Sequence, residues 1–369
     1  MDYFNQHVSS SQTRGTLGAQ RLADDELPVI DVEPLLRGGR RDRAKVAEQI
    51  GKAARDWGFF YICNHGVSPG LLDRAYGQAA RFFEQPLAHK LRYDIARSPN
   101  HRGYVPVTER GEYADEQGER HYEAFDSGFE LAASDPAARA HYLMGPNLWP
   151  RLPGFRQTLS NYYRAMYALG CSLCRGFELH LGLAEGYFDA FTRRPTSQLR
   201  LLHYLEHDAP PQDIDMNMGA HTDYECFTML HQSAPGLQVL GPNGQWIEAP
   251  PLEGTFVVNI GDMMEVWSNG TFRSNVHRVV SGGRERFSMP FFFSADYDAL
   301  IEPVPTMVRP GYPRHYPVTV AGHHLMGQLL RDFSYLRARH AAGQLELDFE
   351  VPHCNPFEYS KLTPQTLAA

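Results

Sequence analysis

The sequence predicts a mainly β fold with flanking helices: an antiparallel double-sheet core, whether sandwich, jelly roll or barrel, wrapped by helices from both ends of the chain. Three observations carry that reading. Between about 197 and 306 the chain breaks into short β-rich runs: "SQLRLLHYL", "ECFTMLHQ", "GLQVLGP", "QWIEAPP", "TFVVNIG", "MMEVWSNG", "SNVHRVVS" and "RFSMPFFFSAD". Turn residues separate them, at Pro-Asn-Gly (242–244), Ser-Asn-Gly (268–270) and Gly-Gly (282–283), the even spacing expected of two packed sheets. Helical periodicity flanks this region on both sides.

The elements follow in order. Residues 1–26 are polar, lack the apolar centre of a secretory signal and read as a flexible arm. "LPVIDVEPLL" (27–36) opens with a short strand, and a helix runs from about Arg41 to Asp56. "GFFYICNHGV" (58–67) is an apolar aromatic run suited to a buried strand, and helical spacing returns over 69–92 behind a Pro-Gly turn. The stretch 98–155 is rich in Gly, Pro, charge and aromatics, and is expected to be a long functional loop over the open end of the sheets. It completes an N-terminal region, 27–155. A helical support (156–196, the helix itself over 156–183), the β core (197–306) and a C-terminal helical extension (307–369, helical near 323–342) complete the division.

Bulk properties exclude several function classes. The net charge of −8 argues against a sequence-independent grip on nucleic acid or on an anionic membrane surface. No apolar run approaches the roughly 20 residues needed to span a bilayer, so a cytoplasmic protein is expected. The five cysteines are an odd, sparse set and not a disulfide framework. Cys171 and Cys174 form a lone C-x-x-C within a helical pattern, which reads as core thiols.

Chemistry concentrates in the strand-rich region. In "GAHTDY", His221 and Asp223 are i, i+2 and leave one face of an extended backbone. An Asp that merely caps a turn and orients an imidazole gives the same spacing. His277 follows 54 residues after Asp223 in the β-branched run "SNVHRVVS", far enough for another strand to return beside the first pair. Two His and one carboxylate form the three-ligand set that leaves open positions on iron(II). Nine residues further, Arg286 and Ser288 again share a face. A guanidinium beside a hydroxyl can grip a carboxylate through charge-assisted hydrogen bonds.

The order His-x-Asp, His, Arg-x-Ser resembles the isopenicillin-N-synthase-like iron(II)/2-oxoglutarate dioxygenases. The collinear segments "GFFYICNHGV", "RGYVP", "EAFDSGFEL", "GLQVL" and "RFSMPFFF" are similar to the same family. The resemblance implies a double-stranded β-helix (jelly-roll) core, with His221, Asp223 and His277 binding Fe(II). It implies that Arg286 and Ser288 hold the distal carboxylate of the cosubstrate 2-oxoglutarate, with Tyr204 assisting. Leu202 departs from the family pattern, which commonly has Asn there, and the Pro-Pro after the tyrosine is missing.

The implied reaction couples O2-dependent decarboxylation of 2-oxoglutarate, to succinate and CO2, with hydroxylation of an unactivated C–H bond of a small molecule, in specialised metabolism. Substrate contacts are expected from Arg102, Tyr104, Arg120 and Phe125 in the loop-rich stretch. Phe227 and Phe292 join them as substrate candidates; together with Phe291, Phe293 and Trp267 they can wall the cavity, although core packing is the commoner role for each aromatic singly. Three alternatives stay open: a 2-oxoglutarate-independent oxidase or cyclase, a metal-free ligand-binding module, and a structural zinc site. Oligomeric state is not legible.

Overall fold

The computed structural model describes residues 27–107, 122–206, 216–280 and 283–352, together with 355 and 357. The arm expected over 1–26, and Arg120, lie outside the described residues. The strands that build the site are β1 (Val29–Asp31), β2 (Phe59–Cys63), β3 (Gly103–Val105), β4 (Tyr122–Gly128), β5 (Gln198–Tyr204), β6 (Met216–His221), β7 (Phe227–Gln232), β8 (Leu237–Leu240), β9 (Trp246–Glu248), β10 (Thr255–Ile260), β11 (His277–Val280) and β12 (Arg286–Phe293). A major sheet runs β1-β2-β10-β7-β12-β5-β4-β3, and a minor one runs β6-β11-β8-β9. Among the described strands of these two sheets, only β1 and β2 pair in parallel.

Alternation along β12 organises the molecule. Arg286, Ser288, Pro290 and Phe292 line a cavity that residues of both sheets enclose. The odd-numbered side chains leave the other face, where a long helix packs. The longer helices among the described residues are α1 (Arg40–Asp56), α2 (Pro69–Phe83), α3 (Phe155–His180), α4 (Asp262–Trp267), α5 (Ala321–Asp332) and α6 (Ser334–Ala341). Helix α3 buries Phe155, Leu159, Tyr162, Met166, Leu169, Leu173 and Phe177, one stripe at helical spacing. Tyr163 meets Phe291 edge-on at 5.0 Å and Tyr167 stacks on Phe293 at 5.9 Å. Gly170 is required at this contact, since a Cβ there would lie 2.2 Å from the Phe293 ring.

The structure departs from the expected elements in three places. The stretch 98–155 is not one long loop: β3 and β4 inside it extend the major sheet, and every residue of β4 is buried. The helix expected over 69–92 ends at Phe83, because Pro86 cannot continue it and a separate turn starts at Leu87. The C-terminal helical segment is two helices, broken at Phe333, whose backbone is extended. Cys171 and Cys174 lie on α3 as free thiols, and no described helix is long and apolar enough to cross a membrane.

Candidate active site

Antiparallel pairing of β11 with β6 sets His277 directly opposite His221. Asp223 follows β6 by two residues, and its main-chain carbonyl accepts the Asp262 N–H at 2.9 Å, which fixes the turn. Gly261 allows this close approach: a Cβ there would lie 2.2 Å from the Glu225 carbonyl oxygen. One donor atom from each of His221, Asp223 and His277 lies within 4.8 Å of the other two.

Hydrogen bonds aim those donors. The Nδ1–H of His221 donates to the Gly219 carbonyl at 2.8 Å and that of His277 to the Asn275 carbonyl at 3.4 Å. Each ring is left with an Nε2 lone pair. The two Nε2 atoms lie 3.7 and 3.6 Å from Asp223 Oδ1, beyond a hydrogen bond. The other carboxylate oxygen, Oδ2, is occupied by the Thr228 hydroxyl and by the Asn259 amide at 2.7 Å. Burial alone would push the Asp223 carboxyl up. The two imidazoles and these two hydrogen bonds outweigh it and hold the group below its ordinary value. Burial, reinforced by His221, brings His277 down, which favours its neutral ring. A carboxylate and two imidazoles whose Nε2 atoms face it are the donor set that a divalent iron takes.

Arg286 lies further along the same cavity. It is 5% exposed. Its guanidinium donates to the Gln232 side-chain oxygen at 2.8 Å, the Ala234 carbonyl at 3.0 Å and the Ser288 hydroxyl at 3.4 Å. It sits over the Tyr204 ring, 4.6 Å from the centroid, and Tyr204 is its cross-strand partner. Among the described residues no carboxylate comes within ion-pair distance of it. A buried guanidinium held only by neutral groups calls for an anion, and a bound carboxylate supplies one.

The opposite end of the cavity is lined by Arg200, Tyr224, Glu225, Phe292 and, from the C-terminal helices, Gln328 to Phe333 without Leu330. Arg200 is locked by two bonds to Asp126, at 2.7 and 2.8 Å. Burial, then the neighbouring Asp223 charge, pushes Glu225 up to about 8.

The remaining sequence candidates sit elsewhere. Of the aromatics expected as walls, only Phe292 lines this cavity; Phe227, Phe291 and Phe293 pack in the helix-backed core, and Trp267 stacks on Phe188 at 4.6 Å. Arg102 is buried beyond the sheet edge, donating to the His101 and Leu143 carbonyls at 3.0 and 2.8 Å. Tyr104 donates to Glu123 at 2.6 Å, and Phe125 packs between Phe82 and Phe155. Their places follow from β3 and β4 being strands of the major sheet, with β3 at its edge.

Two family models match the chain: the N-terminal region of non-haem dioxygenases, described for morphine synthesis, over 27–152, and the 2OG-Fe(II) oxygenase superfamily over 195–295. A homoarginine-6-hydroxylase of Oryza sativa subsp. japonica is 34% identical over 322 residues, 83% of this chain and 97% of that protein. The chain belongs to the 2OG-Fe(II) oxygenase family. A 2-oxoglutarate-Fe(II) type oxidoreductase of Emericella nidulans is 35% identical over 81% of this chain and 88% of its own length. Among solved structures, a Neurospora crassa protein in complex with alpha-KG and thymine superposes with a TM-score of 0.70 at 29% identity, covering 87% of this chain and 99% of that one.

The chain is accordingly an iron(II)- and 2-oxoglutarate-dependent oxygenase with O2 as cosubstrate, on the jelly-roll fold of that family. That assignment replaces the 2-oxoglutarate-independent, metal-free and zinc alternatives. Sequence reading of this oxygenase missed Thr228, Asn259, Gln232 and Glu225. Asn259 carried a signal, a lone amide in the apolar run "TFVVNIG", which needs a buried partner.

Proposed function

We propose that His221, Asp223 and His277 hold the iron, and that Arg286, Ser288 and Tyr204 hold the distal carboxylate of 2-oxoglutarate. In this reading the enzyme hydroxylates a C–H bond of a small molecule seated toward Phe292. One observation carries it: the Asp223 oxygen not bound by Thr228 and Asn259 is the one that faces both Nε2 atoms. Bound there with 2-oxoglutarate and O2, iron(II) supplies the oxidation that converts the cosubstrate to succinate and CO2.

The chain's own residues do the rest. Asn259 and Thr228 keep the carboxylate ionised and stop it rotating. Gln232 and the Ala234 carbonyl hold Arg286 in place before the cosubstrate arrives, so little ordering is left to do on binding. Leu202, Leu230, Leu237 and Val279 line the cavity and keep water from its centre. A cavity of about 380 Å³ suits a small molecule. The relatives named for homoarginine hydroxylation, and the thymine-bound structure, support small polar metabolites as the class to test. The net charge of −8 supports action on small molecules without a grip on nucleic acid or on an anionic membrane surface.

The test is direct. Full-length protein supplied with iron(II), 2-oxoglutarate and air should release succinate and consume O2, and should bind one iron per chain. A protein that binds one iron yet gives no succinate with any substrate of the class contradicts the reading.

A further inference from the structure

The groups assigned to 2-oxoglutarate sit at the end of a ladder. Arg286 is the first residue of β12, Tyr204 the last of β5 and Tyr122 the first of β4, and the three share one rung. Terminal rungs fray most readily. An anchor placed there is steady only if something fastens the strand ends.

The next rung carries a fastening on the face turned away from the cavity. There His203 stands between Glu123 of β4 and Phe287 of β12. Its Nδ1 lies 2.9 Å from Glu123 Oε1, and its Nε2 lies 2.9 Å from Glu285 Oε1. The Phe287 ring stacks on it at 4.5 Å, and Phe83 of α2 lies 5.3 Å away. Glu123 is buried and also accepts the Lys90 ammonium at 2.5 Å and the Tyr104 hydroxyl at 2.6 Å. Burial would push its carboxyl up. The bonds from His203, Lys90 and Tyr104 outweigh that and hold the group below its ordinary value.

A carboxylate only accepts, so two carboxylates on one imidazole require both ring nitrogens to donate. His203 is therefore an imidazolium bridging a buried carboxylate on β4 and a surface carboxylate immediately before Arg286. The titratable groups bonded into this cluster are Glu123, Glu285, Lys90 and Tyr104. Loss of one ring proton turns a lone pair toward a carboxylate. Glu285, whose side chain is 44% exposed, is the partner that can turn away to water. The start of β12 then loses its tie to β4 and β5, one residue from the guanidinium.

We propose that His203 is a positioning residue for the cosubstrate: its imidazolium fastens Glu285 to Glu123, keeps Arg286 and Tyr204 on their rung, and loses that hold on deprotonation. Affinity for 2-oxoglutarate thus falls as pH rises. This rests on the reading of Arg286 as the anchor of 2-oxoglutarate.

For the test, full-length protein is saturated anaerobically with iron(II). 2-Oxoglutarate is then titrated at pH 6.0 and 8.5 through the visible charge-transfer band of the complex, across the range in which an imidazole changes charge. The wild-type dissociation constant should be about five-fold larger, or more, at pH 8.5, as expected for losing part of a charge-assisted bond. In Glu285→Gln the amide accepts from the protonated ring or donates to the neutral one, so the tie survives in both states and the rise should disappear. The rise should also disappear in His203→Gln, which binds 2-oxoglutarate more weakly than the wild type at pH 6.0. Glu285 is at the surface, so its variant decides the matter if His203→Gln does not fold. Absence of the band in the wild-type protein, or wild-type affinity in Arg286→Ala, overturns the parent reading and this inference with it. With the band present and Arg286 required, a wild-type constant that is flat between the two pH values overturns the role of His203 alone. A rise that survives in Glu285→Gln or His203→Gln does the same.

Discussion

His277 and His221 stand opposite each other across the pairing of β11 with β6, their ring centroids 4.3 Å apart. The register shifts immediately beyond His277, so the pair is fixed at the one rung where both imidazoles face the cavity. Slipping β11 by a single residue would turn His277 to the other face of the sheet. A site whose two imidazoles are 56 residues apart in sequence thus depends on one rung of one ladder.

Removing a donor should remove the metal. His277→Ala and Asp223→Ala are each expected to weaken iron binding by more than the ~10–100-fold typical of losing an outer-shell partner. Metal content after gel filtration, with succinate release, measures this. Iron retained at one per chain in either variant would contradict the ligand assignment.

Thr228→Val and Asn259→Ala leave all three donors in place but uncover Asp223 Oδ2. Iron affinity should fall about 10–100-fold in each, while 2-oxoglutarate affinity, measured at saturating iron, stays within two-fold. Unaltered iron affinity would mean that Asp223 needs neither bond to keep its orientation.

Arg286→Ala should raise the 2-oxoglutarate requirement by about 2–5 kcal/mol in binding, some 30-fold or more in KM. Gln232→Ala removes one of the bonds that hold the guanidinium and is expected to cost about ten-fold, since hydrogen bonds to charged groups contribute about 1.5–3 kcal/mol. Iron content should be unchanged in both. An unchanged KM in Arg286→Ala would move the cosubstrate to another cation.

Buried histidines set the acid limit of stability. Burial brings His101 down to about 3, and burial with the nearby His65 brings His231 down to about 4. Both are neutral when folded and titrate near 6.5 when unfolded. Their contribution is therefore complete above pH 6.5 and is lost as pH falls toward 4. Each adds a slope of up to about 1.4 kcal/mol per pH unit. Chemical denaturation of the metal-free protein at pH 7.5, 5.5 and 4.5 measures it. His231→Gln, which loses the bond to the Tyr76 hydroxyl, should be less stable at pH 7.5 but show a shallower decline. A decline as steep as in the wild type would contradict the assignment.

The legible parts of the sequence were those with a strict period or a special residue. Alternation in "RFSMPFFF" placed Arg286 and Ser288 on one face, and the structure shows Pro290 and Phe292 continuing that face. The i, i+2 spacing of His221 and Asp223 was legible in the same way. Arg102, Tyr104 and Phe125 misled because Gly, Pro and charge around them read as loop, while β3 pairs with β4, β4 pairs with β5, and all three residues are buried. Pairing partners far along the chain are invisible to local pattern. The same holds for the last turn of α5, which reaches the cavity just before the break at Phe333.

The most direct test of the central claim is anomalous diffraction at the iron edge from crystals grown anaerobically with iron(II) and 2-oxoglutarate. One strong peak is expected, about 2.0–2.2 Å from His221 Nε2, Asp223 Oδ1 and His277 Nε2, with the distal carboxylate of 2-oxoglutarate on Arg286. A peak elsewhere in the chain, or a cosubstrate carboxylate that does not touch Arg286, would contradict the account.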